Sequence, residues 1–460
     1  MDGNKATLEL GTENMNKLMG KYAIPAIIAM TAAALYNMID SIFIGHGVGA
    51  MAMTGLSVTF PFMNLASAFG AMVGVGAATL ISVKLGQKDY KNAQKVLGNV
   101  ITLNIIIGLL FTVVSFIFLE PILYLFGASE ASLGYAKEYM EIILLGNVIT
   151  HSYFALNAVL RASGHPKSAM FATIFTVVIN TILDPIFIFY FEWGIRGAAI
   201  ATVLAQVLAL IWQCKFFMNN QNLIYFKKGT YRLNKYIVRD ILAIGLSPFL
   251  MNAAASFIVL FINHSLATYG DDYYIAAYGI VNRVSFFFVM IIMGLNQGMQ
   301  PIAGYNYGAK QYDRVTKILK LTIKWATLVA CFGFIFGYFL SDMTASIFTS
   351  DEGLIEIASR GLSIAMCAFP LAGFQMVTSN FFQSIGLAKK AIFLSLTRQL
   401  LFLLPCLYFL PFAFGVDGVW ASMPASDVIA SVVAGLFLWY QFREFKKKGV
   451  TDSEFIDTNK

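Results

Sequence analysis

Residues 18–45 read LMGKYAIPAIIAMTAAALYNMIDSIFIG, an apolar run that carries one carboxylate near its end. A helix that spans a ~30 Å hydrocarbon core needs about 20 apolar residues, so this run is long enough to cross a membrane. A lone carboxylate inside a bilayer costs several kcal/mol and usually faces a protein cavity. Asp40 is therefore a candidate functional residue. Asp184, within the apolar segment 167–191, is a second candidate for the same reason.

The whole chain is similarly apolar: 58% of its 460 residues are hydrophobic and 12% are charged. Its long segments are continuously apolar and lack the alternation typical of strands, which predicts an all-helical membrane bundle. Several segments exceed 25 residues, which implies tilted or kinked helices. The predicted spans are residues 18–45, 52–83, 96–119, 135–160, 168–191, 197–217, 237–268, 273–303, 318–340, 354–382, 391–412 and 418–441.

Basic residues lie mainly on one side of this topology. With the N-terminus inside, 27 of the 32 Lys and Arg residues fall in inward loops or at the termini. Lys137, Arg196 and Arg360 fall outside, and Arg283 and Arg398 are intramembrane. This positive-inside pattern predicts that both termini are cytoplasmic. The net charge of +7 follows from it and indicates contact with anionic lipid headgroups, not with nucleic acid.

Several other classes of protein are disfavoured by the sequence. The four cysteines lie far apart in or beside apolar segments, and this spacing shows neither a disulfide framework nor a metal motif. No Walker motif is present, which argues against ATP-driven transport. We find no nucleophile constellation or metal cluster, so we expect neither an enzyme nor a cofactor. The polar, acidic first fourteen residues are unlike a signal peptide.

The two halves of the chain repeat each other. Gly86-Gln87-Lys88-Asp89-Tyr90 recurs as Gly308-Ala309-Lys310-Gln311-Tyr312, an offset of 222 residues. Six helices per copy is an even number, so the repeats are parallel in the membrane, and the substrate path of such a carrier lies between them. We predict a cytoplasmic tail (1–14), an N-terminal lobe (15–217), a linker (218–236), a C-terminal lobe (237–443) and a second tail (444–460).

With these features the chain resembles the multidrug and toxic compound extrusion (MATE) family over about residues 15–445. The resemblance rests on two six-helix copies, Pro25 in helix 1, the Gly86-Gln87 and Gly308-Ala309 loops, residues 160–164 (LRASG) and the Asp184-Pro185 pair. It implies a V-shaped pair of lobes that exports cationic, lipophilic drugs in exchange for protons or sodium ions. We accordingly expect a multi-pass monomer in a bacterial inner membrane, surrounded by lipids.

Within the family the sequence resembles the DinF/MepA-like branch, whose ion site lies in the N-terminal lobe. The matching positions are Asp40, Asn180, Asp184, Thr202 and, less closely, Tyr139. Asn180 and Thr202 could instead only join helices, and the position of Tyr139 favours an anchor at the membrane interface. NorM-like members instead keep acids in helices 7 and 10.

The second half of this chain departs from the NorM-like pattern. Asn263 replaces Asp40 in the second repeat, and helix 10 offers only Gln375, Asn380 and Gln383. This argues against a cation site in the C-terminal lobe.

Residue spacing supports the N-terminal site independently. At 1.5 Å per residue, Asp40, Asp184 and Thr202 lie about 8–12 Å below the outer ends of their helices. Asn180 and Asp184 are four residues apart and share a helix face. Two carboxylates with amide and hydroxyl oxygens could form a sodium cage from Asp40, Asp184, Asn180 and Thr202, or take up a proton. The sequence does not choose between these ions.

Prolines interrupt the two helices that carry the carboxylates. Pro185 follows Asp184 directly, and a proline bends a helix because it cannot donate its N–H. Pro25 lies in helix 1, fifteen residues before Asp40. We predict that both are hinges of alternating access, although static kinks stabilised by neighbouring helices would give the same pattern.

Other intramembrane polar residues have weaker signals. We expect Arg283 and Asp427 to form structural salt bridges within the C-terminal lobe, and Arg398 to extend toward the cytoplasmic surface. His151 and His264 could relay protons, but we expect them to be satisfied polar core residues.

Two rival functions remain open. A flippase for lipid-linked precursors would have the same fold, but an anionic pyrophosphate cargo calls for several cavity-facing cations, and this chain has only Arg283 and Arg398 within the membrane. A non-transporting scaffold would need neither paired acids nor bending prolines. We favour an ion-coupled multidrug exporter.

Overall fold

The computed structural model describes the backbone of residues 2–457 and the side chains of residues 7–447 apart from 37, 38, 41, 42, 45, 46, 50 and 272. Throughout this part of the chain, the regular secondary structure is helical. Ten of its helices are long and apolar enough to cross a membrane, and counting each of two bent helix pairs as one span gives twelve. The predicted all-helical membrane fold is confirmed.

The described residues form 18 α-helices. They are α1 (Asp2–Thr12), α2 (Met15–Gly47), α3 (Ala50–Gly86), α4 (Tyr90–Ile117), α5 (Leu119–Leu125), α6 (Glu130–Leu145), α7 (Asn147–Ala162), α8 (Pro166–Pro185), α9 (Gly194–Met218), α10 (Lys235–Tyr269), α11 (Asp272–Gly308), α12 (Tyr312–Phe334), α13 (Ser341–Ser346), α14 (Glu352–Ala365), α15 (Phe369–Ser384), α16 (Ala388–Leu396), α17 (Leu404–Phe414) and α18 (Val416–Asp457). π-Helical turns follow α8 (Ile186–Tyr190), α12 (Ile335–Phe339) and α16 (Thr397–Leu403).

Two of the predicted spans that exceed 25 residues, 135–160 and 354–382, are sharply bent. Helices α6 and α7 meet at 56°, and α14 and α15 meet at 54°. The first bend lies at Gly146, where an added Cβ would be 2.5 Å from a methyl group of Val203 on α9. The second lies just before Pro370 at the start of α15, where a missing N–H is tolerated.

The chain divides into two compact units. Unit 1 contains residues 1–12 and 28–253, and unit 2 contains residues 13–27 and 254–460. The first part of α2 therefore belongs to unit 2 and the rest to unit 1. Helix α10 is divided the other way, with its first part in unit 1 and the rest in unit 2. In unit 1, a buried apolar cluster joins Phe62 of α3, Leu123 of α5 and Tyr139 of α6. This cluster fixes the position of one predicted site residue.

The backbone repeats at the offset found in the sequence. Lys88 and Lys310, 222 residues apart, both adopt positive φ angles of 57° and 58° although neither is a glycine. Non-glycine residues seldom adopt this conformation. The corresponding turns of the two copies are therefore built alike, in agreement with the predicted duplication.

A close helix crossing through glycine recurs in the two units. In unit 1, a Cβ added to Gly76 of α3 would lie 2.1 Å from the carbonyl oxygen of Ile241 on α10. In unit 2, a Cβ added to Gly298 of α11 would lie 2.6 Å from the Cα of Ala23 on α2. Gly76 and Gly298 are again 222 residues apart. In both copies the helix backbones approach closely because these positions lack a side chain.

Candidate functional site

The carboxyl groups of Asp40 and Asp184 meet inside unit 1, within hydrogen-bonding distance of each other. Asp40 lies on α2 and is 5% exposed, whereas Asp184 is the penultimate residue of α8 and is fully buried. Two carboxylates so close together in a buried site repel each other and are costly to desolvate. The pair therefore requires a shared proton or a bound cation.

The other predicted site residues surround this pair. Asn180 lies one turn before Asp184 on α8, and its Nδ2 atom lies 3.2 Å from Asp184 Oδ1 and 3.3 Å from Thr202 Oγ1. The buried Tyr139 of α6 places its hydroxyl within hydrogen-bonding distance of Thr202 on α9. The predicted convergence of Asp40, Asp184, Asn180, Thr202 and Tyr139 thus appears as side chains of four helices meeting in one unit.

Tyr36 is a member of the site that the sequence analysis missed. Its hydroxyl oxygen lies 3.0 Å from Thr202 Oγ1. Tyr36 is one helical turn before Asp40, so the two side chains share a face of α2. That i, i+4 spacing was the available signal, but an aromatic residue on a membrane helix usually packs against a neighbour and does not by itself indicate a site.

Three oxygen atoms of the site are buried without a hydrogen-bond partner among the described residues: Asp40 Oδ1, Asp184 Oδ2 and Asn180 Oδ1. Unsatisfied buried acceptors are rare because each loses its hydration without compensation. A shared proton would satisfy at most two of these oxygens, whereas a small cation could contact all three. Two carboxylates with neutral amide and hydroxyl oxygens are suitable ligands for a small hard cation. The donor set therefore fits either candidate ion.

The two predicted hinge prolines lie in different local structures. Pro185 ends α8, and the chain continues in a π-helical turn over Ile186–Tyr190. The helix is thus irregular directly after Asp184. Pro25 is buried inside α2, which remains one helix from Met15 to Gly47. It lies two residues before the point where α2 leaves unit 2 and enters unit 1.

Unit 2 pairs its intramembrane charges differently from our expectation. Arg398 forms an ion pair with the buried Asp427, with 2.5 Å between Nε and Oδ1. The prediction that Arg398 extends toward the cytoplasmic surface is therefore wrong. That prediction rests on the distance of Arg398 from the helix end, which does not reveal a partner on another helix. Arg283 is exposed and is not the partner of Asp427.

The two histidines also differ from each other. His151 is fully buried, and its Nε2 atom lies 2.9 Å from the carbonyl oxygen of Ala66, as expected for a core residue. Its Nδ1 atom has no partner among the described residues, so only one of its two ring nitrogens is satisfied. His264 is exposed, so its assignment to the polar core is wrong. Its position on α10 was known from the sequence, but the direction in which that face points was not.

The second repeat presents amides where the first presents the acid. Asn263 is partly buried, with its Oδ1 atom unpartnered among the described residues. On α15, Gln375 donates to the carbonyl oxygen of Leu394, and Asn380 donates to that of Met376. These amides satisfy helix backbone carbonyls, and Asp427 is already paired with Arg398. Unit 2 therefore contains no equivalent of the Asp40–Asp184 pair among its described residues.

These features define a duplicated, polytopic membrane protein with a buried acid pair in one unit, and comparison with known proteins identifies its family. The MatE family model matches residues 25–186 and again residues 248–409. The chain belongs to the MATE family of multidrug efflux transporters. The two matches correspond to the two copies of the internal repeat.

Individual relatives cover nearly the whole chain. The multidrug export protein MepA of Staphylococcus aureus (strain N315) is 29% identical over 442 residues, which are 96% of each protein. A ligand-bound structure of the MATE multidrug transporter DinF-BH is 35% identical, with a TM-score of 0.87 over 94% of this chain and 96% of that one. A MATE structure in the bent conformation has 25% identity and a TM-score of 0.90, covering 98% and 99% of the two chains.

Proposed function

We propose that this protein is a secondary active antiporter that exports cationic or lipophilic drugs in exchange for protons or sodium ions. In this proposal, two halves (residues 15–217 and 237–443) alternate access to a drug path, and the coupling ion binds at Asp40 and Asp184. The protein would act as a monomer in a bacterial inner membrane with both termini in the cytoplasm. The descriptions of the relatives MepA and DinF-BH as multidrug transporters support the choice of cargo.

The contact between Asp40 and Asp184 carries this proposal. A coupling ion can drive a conformational change only through different affinities for the two conformations. Because the carboxyl groups lie on different helices, α2 and α8, a movement of either helix changes their separation. The affinity of the site for a proton or cation would change with that separation. Binding of the ion would therefore favour one conformation over the other.

The same contact is suited to a shared proton. Two carboxyl groups within hydrogen-bonding distance can share one proton directly. We therefore propose the proton as the coupling ion in this arrangement, with sodium as the alternative that the following experiment tests.

Reconstituted vesicles can test both the site and the ion. Ethidium efflux is measured under an imposed pH gradient or, separately, an imposed sodium gradient. We expect wild-type protein to respond to the pH gradient, and Asp40→Asn and Asp184→Asn each to lose at least about 100-fold in gradient-driven efflux, since each removes a charge that the exchange requires. Glu138→Gln is the matched control, because it also converts an acid of unit 1 to an amide but lies at an exposed pair with Arg196.

The outcomes separate the alternatives. Efflux driven by sodium alone would make sodium the coupling ion and would leave the proposed site at Asp40 and Asp184 unchanged. Wild-type efflux by both aspartate variants would remove the site. Transport that depends on neither gradient would favour the flippase considered from the sequence, and the absence of any transport would favour the non-transporting scaffold.

A further inference from the structure

A strongly basic cavity of ≈ 520 Å³ opens in unit 2. Four cations of α12 line it: Arg314, Lys317, Lys320 and Lys324. The start of α2, from Asn14 to Asn16, forms another part of the wall, and Leu321 completes the lining. None of these lining residues is acidic. The cavity lies on the side of the membrane that the charge pattern predicts to be cytoplasmic.

The basic side chains are arranged to receive an anion. Arg314 is held in place, with its Nε atom 2.8 Å from Asn306 Oδ1 and its Nη2 atom 2.8 Å from the carbonyl oxygen of Glu13. Lys317, Lys320 and Lys324 are exposed, and none forms an ion pair with a described side chain.

The wall formed by α2 adds a further attraction. Asn14 caps the helix by accepting from the backbone N–H of Asn16, with 2.9 Å between the atoms. The N-terminal end of a 33-residue helix therefore faces the same space as the four cations. A helix N-terminus carries a partial positive charge and attracts anions.

The first repeat shows that the corresponding surface can be covered. At the offset of 222, Lys320 and Lys324 correspond to Gly98 and Thr102 of α4. There the linker before α10 lies on the helix: Thr102 Oγ1 donates to the carbonyl oxygen of Tyr231 at 2.8 Å, and a Cβ added to Gly98 would be 2.4 Å from the Thr230 carbonyl oxygen. In the second repeat this surface is an open cavity lined by cations.

The position along α12 indicates what kind of anion fits. Lys324 lies twelve residues into the helix, which is about 18 Å from its start. Beyond it the same face becomes apolar and exposed, with Leu328 and Phe332 at 44% and 52% exposure. Trp325, also exposed, lies at the transition, where aromatic residues of membrane proteins commonly meet the headgroup layer. A ligand that is anionic at one end and apolar at the other matches both parts of this face.

We propose that this cavity binds the headgroup of an anionic diphosphatidyl lipid, cardiolipin, whose acyl chains lie along Leu328 and Phe332. Basic pockets at the cytoplasmic ends of membrane helices are suited to such headgroups. From Arg314 to Lys324 the cations extend over about 15 Å of helix, which suits two phosphates better than one. The bound lipid joins the start of α2 to α12 within unit 2.

Topology alone does not account for this arrangement. The positive-inside rule requires basic residues on the cytoplasmic side, but it does not require them to converge on one cavity. In the first repeat, only Lys95 is basic among the four positions that correspond to Arg314, Lys317, Lys320 and Lys324. That half keeps its orientation without a comparable cluster on α4.

Native mass spectrometry of the delipidated, full-length protein can test the site. The protein is titrated with cardiolipin, with phosphatidylglycerol and with phosphatidylcholine, and bound lipid is counted. We expect cardiolipin to bind most tightly. The triple variant Lys317→Gln, Lys320→Gln and Lys324→Gln should lose at least about tenfold in cardiolipin affinity, since each surface cation contributes to attraction of an anionic lipid.

Two further variants provide controls. Lys91→Gln, Lys227→Gln and Lys228→Gln together remove the same charge from exposed positions elsewhere on the predicted cytoplasmic side, and should bind cardiolipin as the wild type does. Lys317→Arg, Lys320→Arg and Lys324→Arg together keep the charge and should also retain binding. Because lipid binding is read directly, this test is independent of the proposed antiport.

Three results would overturn the assignment. The first is unchanged cardiolipin affinity in the triple glutamine variant, and the second is an equal loss in the lysine control, which would show only unspecific attraction. The third is displacement of the lipid by inorganic pyrophosphate at equal concentration, which would show that the cavity recognises soluble phosphates.

Discussion

The Nε atom of Arg398 lies 2.5 Å from Oδ1 of Asp427, and this ion pair joins the π-helical turn after α16 to α18. Removing one partner would leave the other charge unpaired in a poorly hydrated position. We expect Arg398→Met or Asp427→Leu to lower the free energy of unfolding by about 2–3 kcal/mol. The double variant should recover most of this loss, because no unpaired charge remains.

Thermal unfolding in detergent, analysed as a double-mutant cycle, measures this coupling. Additive losses in the double variant would show that the two side chains do not depend on each other. Gradient-driven efflux should be retained by the double variant, because Asp427 is already neutralised by Arg398 in the native protein.

The close helix crossing at Gly298 leads to a second prediction. An added Cβ would lie 2.6 Å from the Cα of Ala23, and a backbone atom cannot move aside as a flexible side chain can. We expect Gly298→Ala to lower stability by about 1–3 kcal/mol, the usual range for overpacking. Gly279 on the same helix is the matched control, since nothing lies within 4 Å of a Cβ placed there.

The control substitution should have the opposite sign. Gly279→Ala replaces glycine in an open helix position, which favours the helix by up to about 1 kcal/mol. Melting temperatures of the two variants, measured in the same detergent, test the comparison. Equal melting temperatures would indicate that α11 can shift away from α2 without loss.

Tyr36 provides a test of the site beyond its carboxylates. Tyr36→Phe removes the hydroxyl that lies 3.0 Å from Thr202 Oγ1 and leaves the ring in place. We expect efflux under a fixed pH gradient to fall by roughly threefold to tenfold, the effect of one lost hydrogen bond of about 1 kcal/mol. Tyr124→Phe is the control, because Tyr124 is an exposed tyrosine of the same unit. Equal rates for the two variants would remove Tyr36 from the site.

The acid pair could be predicted from the sequence because a buried carboxylate has few explanations other than function. Asp40 and Asp184 were recognisable for this reason although 144 positions separate them. The ion pair of Asp427 with Arg398 could not be predicted from the sequence. The two residues lie on separate helices, and the rotation of each helix about its own axis is set by packing. The bend at Gly146 depends similarly on the approach of Val203, a contact that spacing along the chain does not reveal.

Tyr36 was missed for a different reason. Its spacing from Asp40 was visible, but the hydroxyl becomes part of the site only because Thr202 of α9 lies opposite. Side-chain chemistry that depends on a second helix is decided by tertiary structure. The basic cavity is a similar case. In the sequence, its lysines indicate only how the helices are oriented in the membrane, and their convergence beside Asn14 is seen only in the fold.

Asn263 tests whether the second repeat has a role in ion binding. It corresponds to Asp40, but it is an amide, and no acid pair accompanies it among the described residues of unit 2. We expect Asn263→Ala to retain efflux within about twofold of the wild-type rate, because the charge that binds an ion is absent there. A correctly inserted but inactive variant would place an essential ion ligand in unit 2.

The last prediction concerns Pro25, which lies two residues before α2 passes from unit 2 to unit 1. A proline inside a helix removes one backbone hydrogen bond and permits bending there. Pro25→Ala restores this bond, which is worth about 1 kcal/mol and would favour the straight form of the helix. If bending of α2 is part of the transport cycle, gradient-driven export should slow roughly fivefold while drug binding is kept.

Spin labels can observe the helix directly. Lys17 and Leu35 are exposed positions on either side of Pro25, separated by about 27 Å along an ideal helix. After the four native cysteines are replaced, labels at these positions should report different distance distributions at high and low pH in the otherwise unchanged protein. With Pro25→Ala we expect one distribution at both pH values, because the stiffened helix no longer responds to protonation of the acid pair. Export at the wild-type rate by Pro25→Ala would show that Pro25 is a packing feature and that the conformational switch lies elsewhere in the lobe.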